Sequence, residues 1–306
     1  MTENIIEIDH LNFSFNKYKK VLDDLSLHIP KGSIYGFLGQ NGAGKSTTMR
    51  LITGLINQQN SSNIKLFGAP IESQIPYVFQ KIGSIIETPT LYLHLSCLQN
   101  MEIIAQIKQA DKTQIQDILK LVELDNVQNM KTKQFSLGMK QRLSIGMALL
   151  GNPELLILDE PVNGLDPQGI IDVRLLLKKI NKEKGTTILI SSHLLAEIEK
   201  TCTHVGIIHQ GKVQFEGKLE DLKNNAQSQT IRIKTDKVEH HIAKLNAIDI
   251  AYTAFSDSEL ELNVISEASI PEVLKKIVLA DIPVYSLIKT GGLEDWFMNL
   301  TQKDNG

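Results

Sequence analysis

The sequence of 306 residues contains little cysteine, few aromatic residues and no long uninterrupted apolar run. The two cysteines, Cys97 and Cys202, lie far apart and without the spacing of metal ligands, so we expect two buried thiols in a reducing compartment. Aromatic residues make up 5% of the chain and its net charge is −3, which gives no support to a nucleic-acid-binding surface. No window approaches the roughly 18 consecutive apolar residues of a membrane-spanning helix. The first residues lack the basic flank and apolar core of a signal peptide. These absences predict a cytoplasmic chain.

Up to about residue 220, apolar β-rich runs alternate with helical patterns, which is typical of a mostly parallel sheet covered by helices. Between about residues 89 and 150 the pattern becomes mainly helical, and we interpret this stretch as an α-helical subdomain inserted into the sheet domain. We therefore predict an α/β domain over residues 1–222. Its candidate strands include Ser33–Leu38, Leu155–Leu158, Thr187–Ile190 and His204–His209.

One helix of this domain has clear start and stop signals in the sequence. Asp166 is a residue type that caps helix N-termini, and Pro167 suits the first helical position. Gly185 is placed to end the same helix.

The chain turns polar over Leu222–Gln229, which we interpret as a linker to a small second domain over residues 223–306. Its apolar runs predict the order strand, helix, strand, strand, helix, strand, the split βαβ arrangement of a ferredoxin-like α+β fold. A last helix is predicted over Leu293–Thr301, with Trp296 and Phe297. Regulatory, dimer-stabilising, ligand-binding and purely structural accessory roles all fit this domain. Its other predicted elements are Thr230–Thr235, Val238–Ala247, Ile250–Phe255, Leu260–Ile265, Pro271–Leu279 and Val284–Lys289.

The clearest motif is Gly39-Gln-Asn-Gly-Ala-Gly-Lys-Ser46, which follows an apolar strand and opens a helix. Its glycines let successive N–H groups turn toward one anion, and the positive end of the helix adds to that attraction. Lys45 is expected to reach the β- and γ-phosphates, and the Ser46 hydroxyl to bind Mg²⁺. The alternative, a mere glycine-rich turn, is disfavoured by the strand before it and the helix after it. The predicted triphosphate-binding residues are Gly39, Gln40, Asn41, Gly42, Ala43, Gly44, Lys45, Ser46 and Thr47.

Leu155-Leu-Ile-Leu-Asp-Glu160 is an apolar strand that ends in two acids. Its carboxyl end is where ligands gather in open α/β sheets. Asp159 is therefore the expected partner of Mg²⁺, and Glu160 is the candidate general base for an attacking water. Two solvated acids at a strand end are the alternative, which the phosphate-binding loop disfavours.

His193 follows another predicted strand in Ser191-Ser-His193. A lone histidine is more often structural than catalytic, but its place just past the carboxyl end of a strand favours function. We expect His193 to hydrogen-bond the γ-phosphate and to distinguish ATP from ADP. Lys45, Glu160 and His193 are thus the predicted catalytic residues.

The run Phe135-Ser-Leu-Gly-Met-Lys-Gln-Arg142 resembles the signature motif of ABC ATPases, which usually reads Leu-Ser-Gly-Gly-Gln. The resemblance implies a P-loop ABC ATPase core, a mostly parallel sheet with antiparallel edge strands. It also implies that two subunits meet head to tail, so that Ser136 and Gly138 of one bind the ATP held by the loop of the other. The helix N-terminus at this motif suits an anion. The following helix is predicted to place on one face Met139, Leu143, Met147 and Leu150.

Two further stretches match the same family, and the resemblance extends from residue 4 to about residue 220. Phe15 stands where the family places an aromatic side chain that stacks on adenine, although a core phenylalanine on an alternating strand would look the same. Asn163-Gly-Leu-Asp166 looks like the D-loop, which communicates across the dimer.

One position departs from the family pattern. Aligning Ile82-Gly-Ser-Ile-Ile-Glu87 places Glu87 where the family usually has the glutamine of its Q-loop, and Gln80 is the rival if the frame is shifted. A carboxylate can bind Mg²⁺ as an amide oxygen does, but it adds charge and donates no hydrogen bond. We interpret Glu87 as a substitution that tunes hydrolysis or its coupling to transport.

Glu87, the signature variant and Gly292-Leu-Glu-Asp-Trp-Phe-Met-Asn-Leu-Thr301 resemble the ATPase subunits of exporters for bacitracin and lantibiotic resistance or immunity. The resemblance implies an ATPase that uses ATP and Mg²⁺, a second ATPase subunit, and a multi-spanning permease that holds the chain at the inner face of the cell membrane. No nucleic-acid partner is expected. The alternatives are a non-transport ABC ATPase acting on DNA or ribosomes, and a P-loop kinase or GTPase. The first would need a coiled-coil insertion or a second ATPase module, and the second leaves residues 135–142 unexplained.

Overall fold

The computed structural model describes residues 3–16, 19–56, 63–87, 90–225, 229–248, 250–264 and 267–290. The chain divides into two compact units between Lys218 and Leu219. The division falls slightly before the expected boundary at residue 222, because a helix that starts at Leu219 belongs to the second unit. Among the described residues, no helix is both long and apolar enough to cross a membrane.

The first unit is built around two sheets. Its strands, in chain order, are β1 (Asn4–Asn16), β2 (Lys19–Pro30), β3 (Ile34–Leu38), β4 (Ile64–Leu66), β5 (Ala69–Pro70), β6 (Ile82–Ile85), β7 (Leu155–Leu158), β8 (Thr187–Ser192), β9 (His204–His209) and β10 (Lys212–Lys218). Its helices are α1 (Lys45–Ile52), α2 (Cys97–Ile107), α3 (Thr113–Leu121), α4 (Leu137–Leu149), α5 (Pro167–Lys184) and α6 (Leu195–Thr201).

The central sheet has the strand order β10-β9-β3-β8-β7-β6 in the part of the chain that the structure describes. Every pair from β9 to β6 is parallel, and β10 pairs with β9 antiparallel. Every residue of β3, β7 and β8 is buried, as expected for parallel strands covered on both faces. The predicted α/β class with a mostly parallel sheet is confirmed, and β7 and β9 have the predicted bounds.

Most antiparallel strands form a sheet of their own rather than the edges of the central one. This second sheet has the described order β2-β1-β4-β5. Its buried side chains, such as Ile8 and Leu27, pack in one core with Phe37 of β3, Ile157 of β7 and Met49 of α1. The core therefore lies between the two sheets and helix α1, directly behind the phosphate-binding loop.

The helical insertion comprises α2, α3 and α4, which follow β6 and precede β7. Ser96 caps the N-terminus of α2: its hydroxyl accepts a hydrogen bond from the Gln99 N–H, and the Gln99 side chain accepts one from the Ser96 N–H. On the predicted face of α4, Leu143 and Leu150 are buried, and Met139 and Met147 are half-buried. Because α4 packs against α2, α3, α5 and β6, its buried residues are not confined to that face.

The predicted start and end residues of α5 are confirmed. The Asp166 carboxylate accepts a hydrogen bond from the Gly169 N–H at 3.0 Å, Pro167 is the first helical residue, and Gly185 ends the helix with φ +67°.

The second unit begins with a helix where the sequence suggested a linker. Residues 222–225 of the predicted linker belong to this helix, and Leu222 is fully buried. The elements of the unit are α7 (Leu219–Asn225), β11 (Gln229–Lys234), α8 (Ile242–Ala247), β12 (Tyr252–Ser256), β13 (Glu259–Val264), α9 (Ile270–Leu279) and β14 (Ser286–Thr290).

These strands make an antiparallel sheet with the described order β12-β13-β11-β14. Strand, helix, strand, strand, helix and strand follow one another as expected from β11 onward, although the first predicted helix starts as a short 3₁₀ turn over Val238–His241. Ile231, Leu260 and Ile277 are part of its buried core. The predicted helix Leu293–Thr301 lies outside the described residues.

Candidate nucleotide-hydrolysing site

The loop between β3 and α1 has the geometry of an anion cradle. Gly44, just before the first residue of α1, has φ +114°, and a Cβ there would lie 2.7 Å from Leu22 Cδ2. At Gly39 a Cβ would lie 2.6 Å from the Ile208 carbonyl oxygen. Only glycine fits these two positions, so the loop can turn tightly into the helix N-terminus.

Lys45 is the cation at the centre of this loop, and its side chain is 5% exposed. Its Nζ donates hydrogen bonds to the carbonyl oxygens of Gly39 at 2.6 Å and Gln40 at 3.3 Å. It also lies 3.4 Å from Glu160 Oε1, an oxygen that accepts no hydrogen bond from the described residues. The Lys45–Glu160 contact is therefore an electrostatic one, and it draws the second acid toward the loop.

The two acids at the end of β7 are held by a residue that the sequence analysis did not single out. Ser191, in β8, donates its hydroxyl to Asp159 Oδ1 at 2.5 Å and accepts a hydrogen bond from the Glu160 N–H at 2.7 Å. Glu160 has φ +48°, which is uncommon for a residue other than glycine and fixes the direction of its side chain. The signal available in sequence was only a serine in the run that holds His193.

His193 contacts the same acid from the other side. Its Nδ1 lies 2.9 Å from Glu160 Oε2. A carboxylate oxygen can only accept, so Nδ1 carries the proton in this contact. In neutral His193 the other nitrogen, Nε2, is then an acceptor, and a hydrogen bond from Nε2 to a phosphate oxygen requires the imidazolium form.

The loop, Lys45 and Glu160 line one cleft of about 620 Å³, whereas Asp159, Ser191 and His193 are not among its lining residues. Phe15 lies on its wall with a side chain that is 59% exposed, so it is not a core phenylalanine; it stacks edge-on against Phe13 with ring centroids 5.0 Å apart. Lys19, Lys20 and Gln210 are lining residues that the sequence analysis missed. The cleft is lined by Phe15, Lys19, Lys20, Val21, Asn41, Gly42, Gly44, Lys45, Ser46, Thr47, Glu160 and Gln210.

Oxygen donors at the site suit a hard divalent cation. Ser46 lines the cleft, and the Asp159 carboxylate is buried with one oxygen bonded to Ser191. In the described ranges no cluster of three His, Cys, Asp or Glu side chains could hold a metal by itself. The Ser46 hydroxyl and the Asp159 carboxylate are nevertheless the donors expected for Mg²⁺, which binds to one or two carboxylates together with substrate phosphates.

Glu87, the third predicted metal ligand, pairs with Arg50. Arg50 follows Ser46 by one turn of α1, so the pair lies on the helix face that carries the serine. Glu87 follows β6, whose last residue, Ile85, accepts a hydrogen bond from the Asp159 N–H at 2.8 Å. Gln80 precedes β6, at the opposite end of the strand, so this geometry favours Glu87 over its rival.

A second cleft, of about 380 Å³, lies at the N-terminus of α4. Ser136 caps this helix by accepting a hydrogen bond from the Met139 N–H at 3.2 Å. The lining shares no residue with the first cleft. It comprises Ser136, Leu137, Gly138, Met139, Arg142, Gly164, Asp166, Gln168, Gly169 and Asp172. A glycine loop with its lysine, two acids at a strand end and a separate cleft at a capped helix together define a P-loop nucleotide-hydrolysing subunit.

Comparisons with known proteins agree with this class. A family model described as ABC transporter matches residues 22–163. The chain is 46% identical over 220 residues to the bacitracin transport ATP-binding protein BcrA of Bacillus licheniformis, covering 72% of this chain and 71% of that protein. It is 42% identical over 227 residues to the lantibiotic transport ATP-binding protein SrtF of Streptococcus pyogenes, covering 72% of this chain and 96% of that protein. A solved ATP-binding subunit of an ABC transporter matches with a TM-score of 0.62 and 30% identity, over 72% of this chain and 92% of that one.

The chain belongs to the ABC transporter family, as an ATP-binding subunit with ATPase activity. The similarities to BcrA and SrtF each cover 72% of the chain.

Proposed function

We propose that this chain hydrolyses ATP to drive export of a bacitracin- or lantibiotic-type antimicrobial through a separate membrane permease. The observation that carries the motor part is the convergence on Glu160 of the Lys45 ammonium at 3.4 Å and His193 Nδ1 at 2.9 Å. The cargo class is supported by the similarity to BcrA and SrtF, which are ATP-binding proteins of bacitracin and lantibiotic transport. The permease would hold the chain at the inner face of the cell membrane.

In the proposed mechanism the triphosphate lies along the N-terminus of α1, and adenine packs on the exposed ring of Phe15. Glu160 accepts a proton from the water that attacks the γ-phosphorus, and the bond to the β-phosphate oxygen breaks. His193 Nδ1 orients the Glu160 carboxylate. Lys45 and the loop N–H groups stabilise the charge on the phosphate oxygens. Mg²⁺, held by Ser46 and Asp159 together with the phosphates, would neutralise part of that charge, and Glu87 is a further candidate ligand.

We further propose that the competent enzyme contains two ATPase subunits. The cleft at the α4 N-terminus offers helix N–H groups and the Ser136 hydroxyl, which suit a phosphate. Because this cleft and the Lys45 cleft have no lining residue in common, the arrangement favours an ATP bound between Gly138 of one subunit and the loop of the other. The second subunit can be a copy of this chain or a close homologue.

Three measurements test these proposals. The purified chain is expected to hydrolyse ATP with Mg²⁺, and a multi-spanning membrane protein is expected to co-purify with it. Cells that lack the chain are expected to become more sensitive to bacitracin or to a lantibiotic than to unrelated drugs. If the purified chain does not bind ATP, the proposed ATPase role is wrong. If the drug sensitivity of the cells does not change, the proposed class of exported antimicrobial is wrong.

The rival role, an ABC ATPase that acts on DNA or ribosomes, is not favoured. The insertion between β6 and β7 consists of short helices in its described residues, and its longest, α4, has 13 residues. A repair enzyme of this family would need a long coiled coil there. Capture of ribosomes or DNA instead of a permease would support the rival.

A further inference from the structure

The sheet of the second unit has two faces of different character. On one face, Ile231 of β11 and Leu260 of β13 are buried in a common core with Leu245 of α8 and Ile277 of α9. Side chains alternate between the two faces along a strand, so the residues next to these lie on the opposite face, which we call the open face.

One row of side chains crosses the open face in the order apolar, acidic, basic, apolar. Glu261 and Arg232 are cross-strand partners at its centre, and their side chains form an ion pair at 3.1 Å. Ile288 of β14 is the cross-strand partner of Arg232 on one side. On the other side Phe255 of β12 stacks on the guanidinium, with its ring centroid 3.4 Å from Arg232 Cζ. Phe255 and Ile288 are 57% and 58% exposed, so two large uncovered apolar side chains flank the ion pair.

The charges of the open face are separated by strand. β11 contributes Arg232 and Lys234, whereas β13 contributes Glu261 and Glu259, the cross-strand partner of Lys234. A basic strand therefore runs beside an acidic one. The acidic strand would repel a nucleic acid or an anionic membrane. A partner that matches the face must present acidic groups opposite β11 and basic groups opposite β13.

A second copy of the same face meets this requirement when the two-fold axis runs parallel to the strands, between β11 and β13. Because the described strand order is β12-β13-β11-β14, this rotation sets β11 of one copy opposite β13 of the other, and β12 opposite β14. Arg232 then faces Glu261 of the second copy, and Phe255 faces Ile288. A two-fold axis perpendicular to the strands would instead set β11 opposite β11 and bring like charges together.

The size of the face limits how tightly it can bind. Its strands have five or six residues each, and four strands about 4.8 Å apart present roughly 350 Å². Two copies would together bury roughly 700 Å², which is less than the roughly 1,000 Å² expected of a stable interface. The contact is therefore weak between free chains, but it becomes effective between chains that another contact already holds together.

We propose that the open face is a self-complementary contact through which the second units of two copies pair. The inference rests on the proposed function in one respect, namely that two ATPase subunits work together. It specifies that the second subunit is a copy of this chain. It also gives the second unit a role, which is to keep the two copies together when no ATP is bound between them.

The competing occupant is the end of the same chain, which follows β14 and carries the apolar residues Trp296 and Phe297. Of the four charged residues between positions 291 and 306, three are acidic. This segment therefore offers a single cation to the acidic strand β13, whereas a second copy offers both Arg232 and Lys234. The charge pattern favours the second copy.

Charge reversal in the full-length chain tests the contact between copies. Sedimentation equilibrium without nucleotide measures self-association apart from any dimer that ATP holds. In Arg232→Glu and in Glu261→Arg, like charges oppose each other when two copies of one variant meet. Each substitution is therefore expected to raise the dissociation constant at least about tenfold. Lys275→Glu, an exposed change on α9 with the same change of charge as Arg232→Glu, should leave self-association unaltered.

An equal mixture of the two charge-reversed chains separates contacts between copies from contacts within one chain. Each copy then supplies the charge that the other lacks, so the dissociation constant should return to within about threefold of the native value. The Arg232–Glu261 ion pair within each chain stays broken in the mixture. Recovery can therefore arise only from pairing between chains.

A cross-linking experiment maps which strands meet. Thr253 is the cross-strand partner of Glu261 and so lies in the same row as Ile288. Thr253→Cys and Ile288→Cys, carried by two differently tagged full-length chains, should be joined by a short bismaleimide, because stacked sheets lie about 10 Å apart. Neither variant alone should cross-link to itself, since β12 faces β14 rather than its own counterpart. The native Cys97 and Cys202 are buried and should not compete.

The outcomes separate the pairing from the proposed function. If the mixture associates no better than each charge-reversed chain alone, or if like positions cross-link as readily as the mixed pair, the pairing is overturned. A cross-link within one chain between Thr253→Cys and Trp296→Cys, without any between chains, would assign the face to the end of the same chain and would also overturn it. If a charge-reversed chain does not fold, the cross-linking pattern decides.

ATP hydrolysis by the native chain is measured separately. Its absence would overturn the proposed function whether or not the sheets pair, and its presence leaves that function standing when the pairing fails.

Discussion

Ser191 Oγ lies 2.5 Å from Asp159 Oδ1 and links β8 to the acid-bearing end of β7. The same hydroxyl accepts the Glu160 N–H, so one small side chain fixes both acids. The neighbouring Ser192 hydroxyl bonds only to the main chain of Leu194 in the contacts described.

Ser191→Ala is expected to lower the ATPase rate by about 10- to 100-fold, the range typical when a partner that orients a site residue is removed. ATP binding should persist, because the loop with Lys45 is untouched. Steady-state phosphate release and nucleotide binding measured by fluorescence provide the two readouts. Ser192→Ala is the matched control and should change the rate by less than about twofold. Equal effects of the two substitutions would show that Ser191 has no special role.

Glu160→Gln is expected to lower ATP hydrolysis by at least about 100-fold, since an amide cannot act as the general base. Binding of ATP should survive, and the protein should accumulate as an ATP-bound dimer. Sizing chromatography with ATP and Mg²⁺ measures this directly. Glu154→Gln, at the other end of β7 and paired with Lys81 at the surface, is the control. Monomer alone in the presence of ATP would count against the two-subunit proposal.

Glu87→Ala is expected to change the ATPase rate or the transport rate several-fold, and Arg50→Met to change the same quantity, since the two side chains form one ion pair. If Glu87 acts through Arg50, the double variant should resemble the stronger single one. Stability should change by no more than about 1 kcal/mol, because the Glu87 side chain is 63% exposed. Gln80→Ala is the control, because Gln80 would take the Q-loop position if the alignment were shifted; this substitution should leave both rates unchanged. Unchanged hydrolysis and transport in Glu87→Ala would end this hypothesis.

We expect His28 to make a pH-dependent contribution to the stability of the first unit. Burial lowers the pKa of His28, but hydrogen bonds to Glu216 and Asp9, each at 3.2 Å, outweigh burial and raise the pKa above its ordinary value of 6.5. The contribution is therefore fully present below about pH 6.5 and is lost as the pH rises through the folded-state value.

Relative to His28→Gln, the native chain should gain more unfolding free energy at about pH 5.5 than at about pH 8.5. The gain should be at most about 1 kcal/mol, because the side chain is 40% exposed. Urea unfolding at the two pH values measures it. A constant difference between the two proteins would rule out this linkage.

The thiols should be unreactive in the native chain. Burial raises the pKa of Cys97 to about 12 and raises that of Cys202 as well. At about pH 8 a disulfide reagent should label neither cysteine, because the thiolate is the reacting form. Both should react in concentrated guanidinium chloride. Rapid labelling of one cysteine without denaturant would indicate a local opening.

The elements that the sequence predicted well are those whose pattern is contiguous. β7 is a run of four aliphatic residues buried on both faces, and α5 has a cap, a first-turn proline and a terminal glycine, so each gives its signal within a few positions. The phosphate-binding loop is local for the same reason. The second unit was predictable in its order of elements, because its apolar runs are separated by polar turns.

The features that the sequence did not predict depend on contacts between residues far apart in the chain. α4 buries residues outside its predicted apolar face, because it packs against α2, α3, α5 and β6. Ser191 meets Asp159 across 32 positions, and Arg50 meets Glu87 across 37, so neither partnership shows in a local pattern. The first four residues of the predicted linker belong to α7, where Leu222 is fully buried, and a run of polar residues does not reveal that burial.

Ile85 connects the backbone of β6 to the acid-bearing end of β7. Its side chain is buried, and its carbonyl oxygen accepts a hydrogen bond from the Asp159 N–H at 2.8 Å. Glu87 stands only two positions further along the chain, so the strand that leads to one predicted Mg²⁺ ligand is hydrogen-bonded to the backbone of another. A substitution that displaces β6 should therefore move both oxygen donors together.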